Sequence, residues 1–295
     1  MPWHARLDLD YHHDLPGDPR ADRSADGAAP PPGPARTTAR YRHDGPLRIL
    51  QSLYPEGAGI CHNVLVHPPG GLVGGDVLDI RIRAAAGAHG LVTTPGATRF
   101  YRSEGETAVQ RTAIALDPGA RLEWLPLEAI CFDGCLAENR LRLDLAPEAE
   151  LIGWDVAAFG LPHAGKPFLR GNLLQHLELP GTWLERGRID AADARLLDGP
   201  LGLAGHRCLA TVFLATGTPL PRAARERALD AARAVLDAHA LRGTAGATSP
   251  DGRVVVVRAL APLVEPAMQL MKQVRAAWRE ACWGLPPTAP RIWAM

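Results

Sequence analysis

The sequence predicts a mainly β protein, built from many short, mostly antiparallel strands, with two α-helices confined to its C-terminal third. Three observations carry that reading. Glycine and proline supply 30 and 27 of the 295 residues, so long helices cannot dominate and turns must be frequent. Short apolar segments recur from Tyr41 onward, roughly 10 to 15 residues apart and without helical patterns between them, which favours hairpins over βαβ units. Amphipathic helical periodicity appears only after residue 220.

Taken in order, WHARLDLDY (3–11) alternates imperfectly and reads as a first strand. The segment 16–36, PGDPRADRSADGAAPPPGPAR, has almost no large apolar side chain with which to offset the entropy of ordering, so a mobile loop is expected there. The apolar segments that follow are LRILQSLY, CHNVLVH, DVLDIRIRA, HGLVTT, ETAVQRTAIAL, ARLEWLPL, NRLRLDLA, ELIGWDVAAF, NLLQHLEL and TWLERGRI, most of them ending at Gly, Pro or Asp-Pro. Alternation is clearest where Val77, Leu78, Ile80 and Ile82 are set against Asp79, Arg81 and Arg83, and where Leu141, Leu143 and Leu145 oppose Arg140, Arg142 and Asp144. These are half-buried strands.

The first helix is expected over 221–241, with Leu229, Ala232, Leu236 and Ala240 on one face. RVVVVRALA (253–261) reads as a strand, and Pro266 can start a second helix. There Leu270, Met271, Val274, Ala277, Trp278 and Ala281 form a stripe opposite Lys272, Gln273, Arg275 and Arg279. Prolines in the closing LPPTAPRIWAM forbid further α-helix.

Composition excludes several function classes. Lys plus Arg equals Asp plus Glu at 32 each, so no global basic field exists to hold nucleic acid or an anionic membrane. No run reaches the ~18 to 20 apolar residues of a membrane span, and MPWHARLDLDYHHD is too charged for a signal peptide, so a cytoplasmic protein is expected. Five cysteines, an odd number, argue for reduced thiols rather than a disulfide framework. The length is read as a single domain spanning 1–295.

Motifs for chemistry are sparse. HPPGGLVGGD (67–76) demands tight turning, but a phosphate-binding loop needs Lys and a hydroxyl where this chain has Asp76 and Val77. TTPGATRFYRS (93–103) reads as a Pro-Gly turn and an edge strand, with Thr93 and Thr94 able to bond backbone or line a polar channel. In EWLPLEAICFDGC (123–135), Glu128 sits among Leu, Ile and Phe; burial there would require a partner or a raised pKa. Cys131 and Cys135 lack the second pair or nearby His of a zinc-type site. Eleven histidines are scattered with no ligand spacing, although His12 with His13, or His62 with His67, offer imidazoles of the kind nickel accepts. No serine elbow or other nucleophile is found. Asp155 in GWDVAAFG and Glu185 in WLERGRID are charges set in strand-like apolar contexts. Facing a hydrated interior, such carboxylates could pass a divalent cation along weak, multiple sites.

Strung together, GPLRILQSLYPEG (45–57), HPPGGLVGGD (67–76), TTPGATRFYRS (93–103), LEWLPLEAICFDG (122–134), GWDVAAFG (153–160), WLERGRID (183–190), GLAGHRCLAT (202–211) and LPPTAPRIW (285–293) resemble successive motifs of the UreD/UreH urease accessory family. The resemblance implies a helical arrangement of the strands and a non-enzymatic scaffold for urease maturation. It implies UreF-like and UreG-like accessory proteins and apo-urease as partners, and a dimeric accessory complex is compatible with it. No cofactor would be tightly bound; nickel would be in transit. Asp76, Thr94, Glu128 and Glu185, each inside a matched motif, are the residues expected to line that route. The chain departs from the family's usual pattern at Leu127, where relatives usually have Gln before the Glu, and at Lys166, where they usually have Glu. Two other readings stand beside the scaffold: a metal-dependent enzyme using Glu128, and a nickel-storage protein.

Overall fold

Strands that alternate apolar with charged residues form a sheet with one dry face, whereas strands apolar throughout belong where both faces are covered. Both kinds occur here, and they sort into two sheets. The computed structural model describes residues 2–14 and 35–294. The chain begins with β1 (His4–Asp14), β2 (Arg36–Asp44), β3 (Arg48–Leu53), β4 (Cys61–Val66), β5 (Val77–Ala84) and β6 (His89–Thr93). It continues through β7 (Thr98–Phe100), β8 (Ala108–Leu116), β9 (Arg121–Leu125), β10 (Ala129–Cys131), β11 (Cys135–Leu145), β12 (Glu150–Phe159), β13 (Gly171–Leu179) and β14 (Trp183–Asp190). The last third holds α1 (Ala194–Asp198), β15 (Cys208–Thr216), α2 (Arg222–Ala238), β16 (Ala245–Asp251), β17 (Val254–Ala261) and α3 (Val264–Trp283).

From β4 to β13 the chain winds as a coil, its longer strands entering the two sheets in turn. One sheet has seven strands, in the order β14-β13-β11-β8-β5-β1-β2; the other has ten, with the path β16-β17-β15-β12-β9-β6-β4-β3 and the short β7 and β10 to one side. The mainly β content, the helical winding and the two late helices match expectation. The pairing direction does not: among the described residues nine strand pairings are parallel and six antiparallel, so the sheets are mixed. Parallel neighbours need a long crossover, which a helix usually provides. Here a strand of the opposite sheet provides it, so closely spaced strands without helices look alike in sequence whether they form hairpins or a coil.

Burial follows the same division. On the seven-stranded sheet β5 alternates buried Leu78, Ile80, Ile82 and Ala84 with exposed Arg81 and Arg83. On the other sheet β6 is buried throughout, because its second face meets the C-terminal helices. Two apolar cores result. One lies between the sheets and includes Leu7, Leu9, Ile80, Leu143, Leu151 and Phe159. The other packs Ile152, Trp154, Val212 and Val257 against Ala232, Leu236, Leu270, Met271 and Trp278 of the helices.

Both helices start and stop close to where their patterns predict, α2 over Arg222–Ala238 and α3 over Val264–Trp283. Asp193 caps the unanticipated α1 by accepting from the Leu196 amide, and a single 3-10 turn closes the chain over Arg291–Ala294. Segment 16–34 of the expected loop lies outside the described residues, and Arg36 already begins β2. No described helix is long and apolar enough to cross a membrane.

The polar side of α3 contradicts its sequence pattern in an informative way. Arg275 and Arg279, on the face opposite the apolar stripe, are 1% and 0% exposed. Buried guanidinium groups require carboxylate partners. Glu123 of β9 accepts from Arg275 Nε at 2.5 Å and also from Arg279; Glu56 accepts from Arg279 and contacts His62 Nε2 at 2.9 Å. The same two arginines donate to the Thr288 and Pro286 carbonyls at 2.7 and 2.8 Å, pinning the C-terminal tail on the sheet.

Candidate functional site

A row of polar side chains crosses the otherwise apolar space between the sheets. Strand parity dictates it. Gln110 of β8, Asn139 of β11 and Gln175 of β13 occupy inward positions that neighbours such as Leu141, Leu173 and Leu177 fill with apolar groups. They are in register, Gln110 opposite Asn139 and Asn139 opposite Gln175. Across the gap the ten-stranded sheet supplies Asp155, Thr211 and Arg258, likewise in register.

Asp155 is the centre of the row. Its two carboxylate oxygens accept from Asn139 Nδ2 and Gln175 Nε2, each at 2.6 Å, while Gln110 Nε2 donates to Asn139 Oδ1 at 3.3 Å. Desolvation pushes the Asp155 pKa up to about 6; the nearby charge of Glu185 adds to the rise, and the two amide donors partly offset it. Asp155 nevertheless keeps partial solvent access, so the space around it is not sealed by side chains. The Thr211 and Thr112 hydroxyls, both buried and inward, have no hydrogen-bond partner among the described residues.

The row runs between two ends. At one, Gln110 also lines a cavity of about 230 Å³ together with His67, Thr94, Thr98, Arg99 and Trp124. Thr94 Oγ1 accepts from the Leu127 amide at 2.9 Å and donates to the Gly96 carbonyl at 3.0 Å, so its hydroxyl folds the turn at that mouth. At the other end Glu185, on edge strand β14, accepts from Arg258 Nε at 3.1 Å and spans the gap between the sheets.

Of the four residues singled out from sequence, the structure therefore brings Thr94 and Glu185 to the ends of one polar row and leaves two away from it. Asp76, 4% exposed, accepts from the Trp3 and Val73 amides at 2.8 and 2.9 Å. It closes the Gly-rich turn and ties down the chain start. That turn is crowded as expected: a Cβ on Gly71 would lie 2.4 Å from the Tyr101 ring, and one on Gly74 2.3 Å from Ser103 Oγ. Glu128 lines a different cavity, about 260 Å³, with His163, Arg207, Cys208 and Glu265; burial raises its pKa, and Glu265 adds to the rise. His62 belongs to the buried ionic cluster under α3, and His67 to the first cavity, so they form no pair.

Cys131 and Cys135 are both buried beside the row, and the Cys131 thiol is held well above its usual pKa by its contact with Cys135 and by burial. All five cysteines are free. Leu127 packs against the helix-side core, which suits an apolar residue, and Lys166 is exposed. No group of three or more His, Cys, Asp or Glu side chains among the described residues is arranged to hold a metal ion. Sequence reading flagged Asp155 but missed Gln110, Asn139, Gln175 and Thr211. The signal was present as single polar residues at apolar parity, legible only once strand phase is known.

The sequence pattern of the UreD urease accessory protein family matches residues 29–294. The chain is similar to the urease accessory protein UreD of Paracidovorax citrulli, 66% identical over 295 residues and covering all of both chains. It is 63% identical to that of Variovorax paradoxus, again over the whole of both chains, and 49% identical to that of Methylibium petroleiphilum over 99% of each. Motif order, winding β architecture and end-to-end similarity agree, and the chain belongs to the UreD family of urease accessory proteins.

Proposed function

We propose that this chain is a non-enzymatic scaffold of urease maturation that conducts nickel between its two sheets toward apo-urease. A role in urease maturation follows from family membership. The conduit rests above all on Asp155, an inter-sheet carboxylate with partial solvent access, held by the side-chain amides of Asn139 and Gln175 and with the partnerless Thr211 hydroxyl in register beside it. Nickel accepts carboxylate and amide oxygen donors, and a route must bind loosely enough to release. Thr94 marks one mouth and Glu185 the other, where release from Arg258 frees its carboxylate for the cation. Asp76 acts at a distance, by holding the Gly-rich turn beside the first cavity, and Glu128 serves a neighbouring cavity. UreF-like and UreG-like proteins would supply nickel in the cytoplasm, the scaffold joining them to apo-urease, with a dimeric accessory complex compatible with that role.

Co-expression of urease with its accessory proteins tests the reading. Asp155→Ala combined with Glu185→Ala should lower urease activity and nickel content severalfold while the complex with apo-urease still copurifies. Full activation by the double variant would sink the conduit. Equilibrium dialysis of the isolated protein should find weak nickel binding; tight stoichiometric binding would instead point to storage.

A further inference from the structure

Away from the inter-sheet row, the outer face of the seven-stranded sheet carries a concentration of arginine that the proposed route does not use. At its β2-β1-β5 end a cleft of about 410 Å³ is lined by Arg6, Arg40, Arg42, Arg81 and Arg83 against only Asp8 and Asp10. The register explains the layout. Arg42 and Arg81 flank Asp8, and Arg40 and Arg83 flank Asp10, on directly opposite positions of neighbouring strands. Asp8 is already engaged by Arg6 at 2.8 Å. Arg40, Arg42, Arg81 and Arg83 are all exposed, and among the described residues none of the four makes an ion pair.

Beside this cleft lies an apolar strip. Tyr41, which lines the cleft, is 38% exposed and Leu50 74%, and the Tyr41 hydroxyl donates to the Leu50 carbonyl at 3.5 Å, joining β2 to β3. Arginine and tyrosine without lysine, next to exposed leucine, is the composition of protein-protein interface centres.

We propose that this face docks an acidic, extended segment of a protein partner. The two arginine columns match such a segment: alternate residues of a strand repeat every ~6.8 Å, so carboxylates at alternate positions of an extended chain meet Arg40 and Arg42, or Arg81 and Arg83, one for one. A polynucleotide fits less well, because Asp8 and Asp10 interrupt the positive field between the columns and the chain as a whole has no net charge. The inference adds a partner chemistry to the scaffold reading and does not depend on the nickel route.

Fluorescence anisotropy on the full chain tests it with a labelled decamer of alternating Glu and Thr. Binding should be saturable and weaken steeply between about 50 and 200 mM salt. R40E/R42E/R81E/R83E should lose at least about tenfold in affinity with an unchanged circular dichroism spectrum. The matching Arg→Gln set removes charge without adding repulsion and should lose binding too, which keeps the test valid if the reversed variant folds poorly. The proposal is overturned if the wild type ignores the decamer, or if the variants bind it as well as the wild type, as they would if these arginines only guard the β2 edge. It is equally overturned if duplex DNA or phosphatidylserine vesicles bind the patch in preference to the decamer. Decamer binding by the wild type and its loss in the arginine variants, found together with intact urease activation by Asp155→Ala, would separate a failed conduit from a sound docking face.

Discussion

Asp155→Asn should stabilise the folded protein at neutral pH and leave its stability unchanged near pH 4. An aspartate in the unfolded chain titrates near pH ~3.9, whereas Asp155 in the folded protein titrates at about 6. Below both values each state holds the proton and no cost arises. Between them the unfolded chain releases its proton while the folded one retains it, so stability falls as pH rises. Above pH 6 the loss is complete. Two pKa units correspond to about 3 kcal/mol as an upper bound, and partial solvent access at the site reduces this to roughly 1 to 2.5 kcal/mol.

Asparagine resembles the protonated acid, since each presents one carbonyl acceptor and one donor, and in either case the Gln175 amide turns over so that its oxygen meets that donor. The variant should therefore match the wild type near pH 4 and exceed it at pH 8 by that amount, about 2 to 6 °C in unfolding midpoint. Thermal unfolding at half-unit pH steps from 4 to 8, followed by tryptophan fluorescence, reads the difference directly. Parallel curves across the whole range would refute the reasoning, as would a variant less stable at pH 8.

The same titration has a functional counterpart: urease activation should decline as pH falls below about 6 in a reconstituted system, as Asp155 takes up its proton, and a flat profile would count against Asp155 as a stepping point. Glu123→Gln strips the charge facing Arg275 and Arg279 and should cost about 3 to 5 kcal/mol; an unfolding midpoint within a degree of wild type would show the cluster to be dispensable. Gly90→Ala forces a Cβ to within 2.5 Å of the Tyr11 ring and should cost about 1 to 3 kcal/mol, partly recovered by adding Tyr11→Leu. Thiol labelling of the native protein should reach the half-buried Cys282 before Cys61, Cys131, Cys135 and Cys208, which are buried; equal rates would mean that the cores open readily.

Much of this protein is legible in its sequence because much of it is local. Alternation in 78–83 and 141–145 identifies strands whose outer face meets water, and 3.6-residue periodicity places α2 and α3 within a few residues, because both patterns record which face is dry. The crowded glycines of 67–76 announce a tight turn. What depends on how distant segments meet was decided by tertiary structure alone. Parallel pairing arises because successive strands enter opposite sheets, a choice no single strand encodes. Arg275 and Arg279 read as a solvated face until Glu123 and Glu56, more than a hundred residues earlier, arrive beneath them. Asp76 and Glu128 are ordinary acids in recognisable motifs, yet lie off the polar row, while Asn139 and Gln175 join it only because strand phase turns them inward toward Asp155. Spacing along the chain records burial against a surface; which polar groups share that buried space is set by register across it.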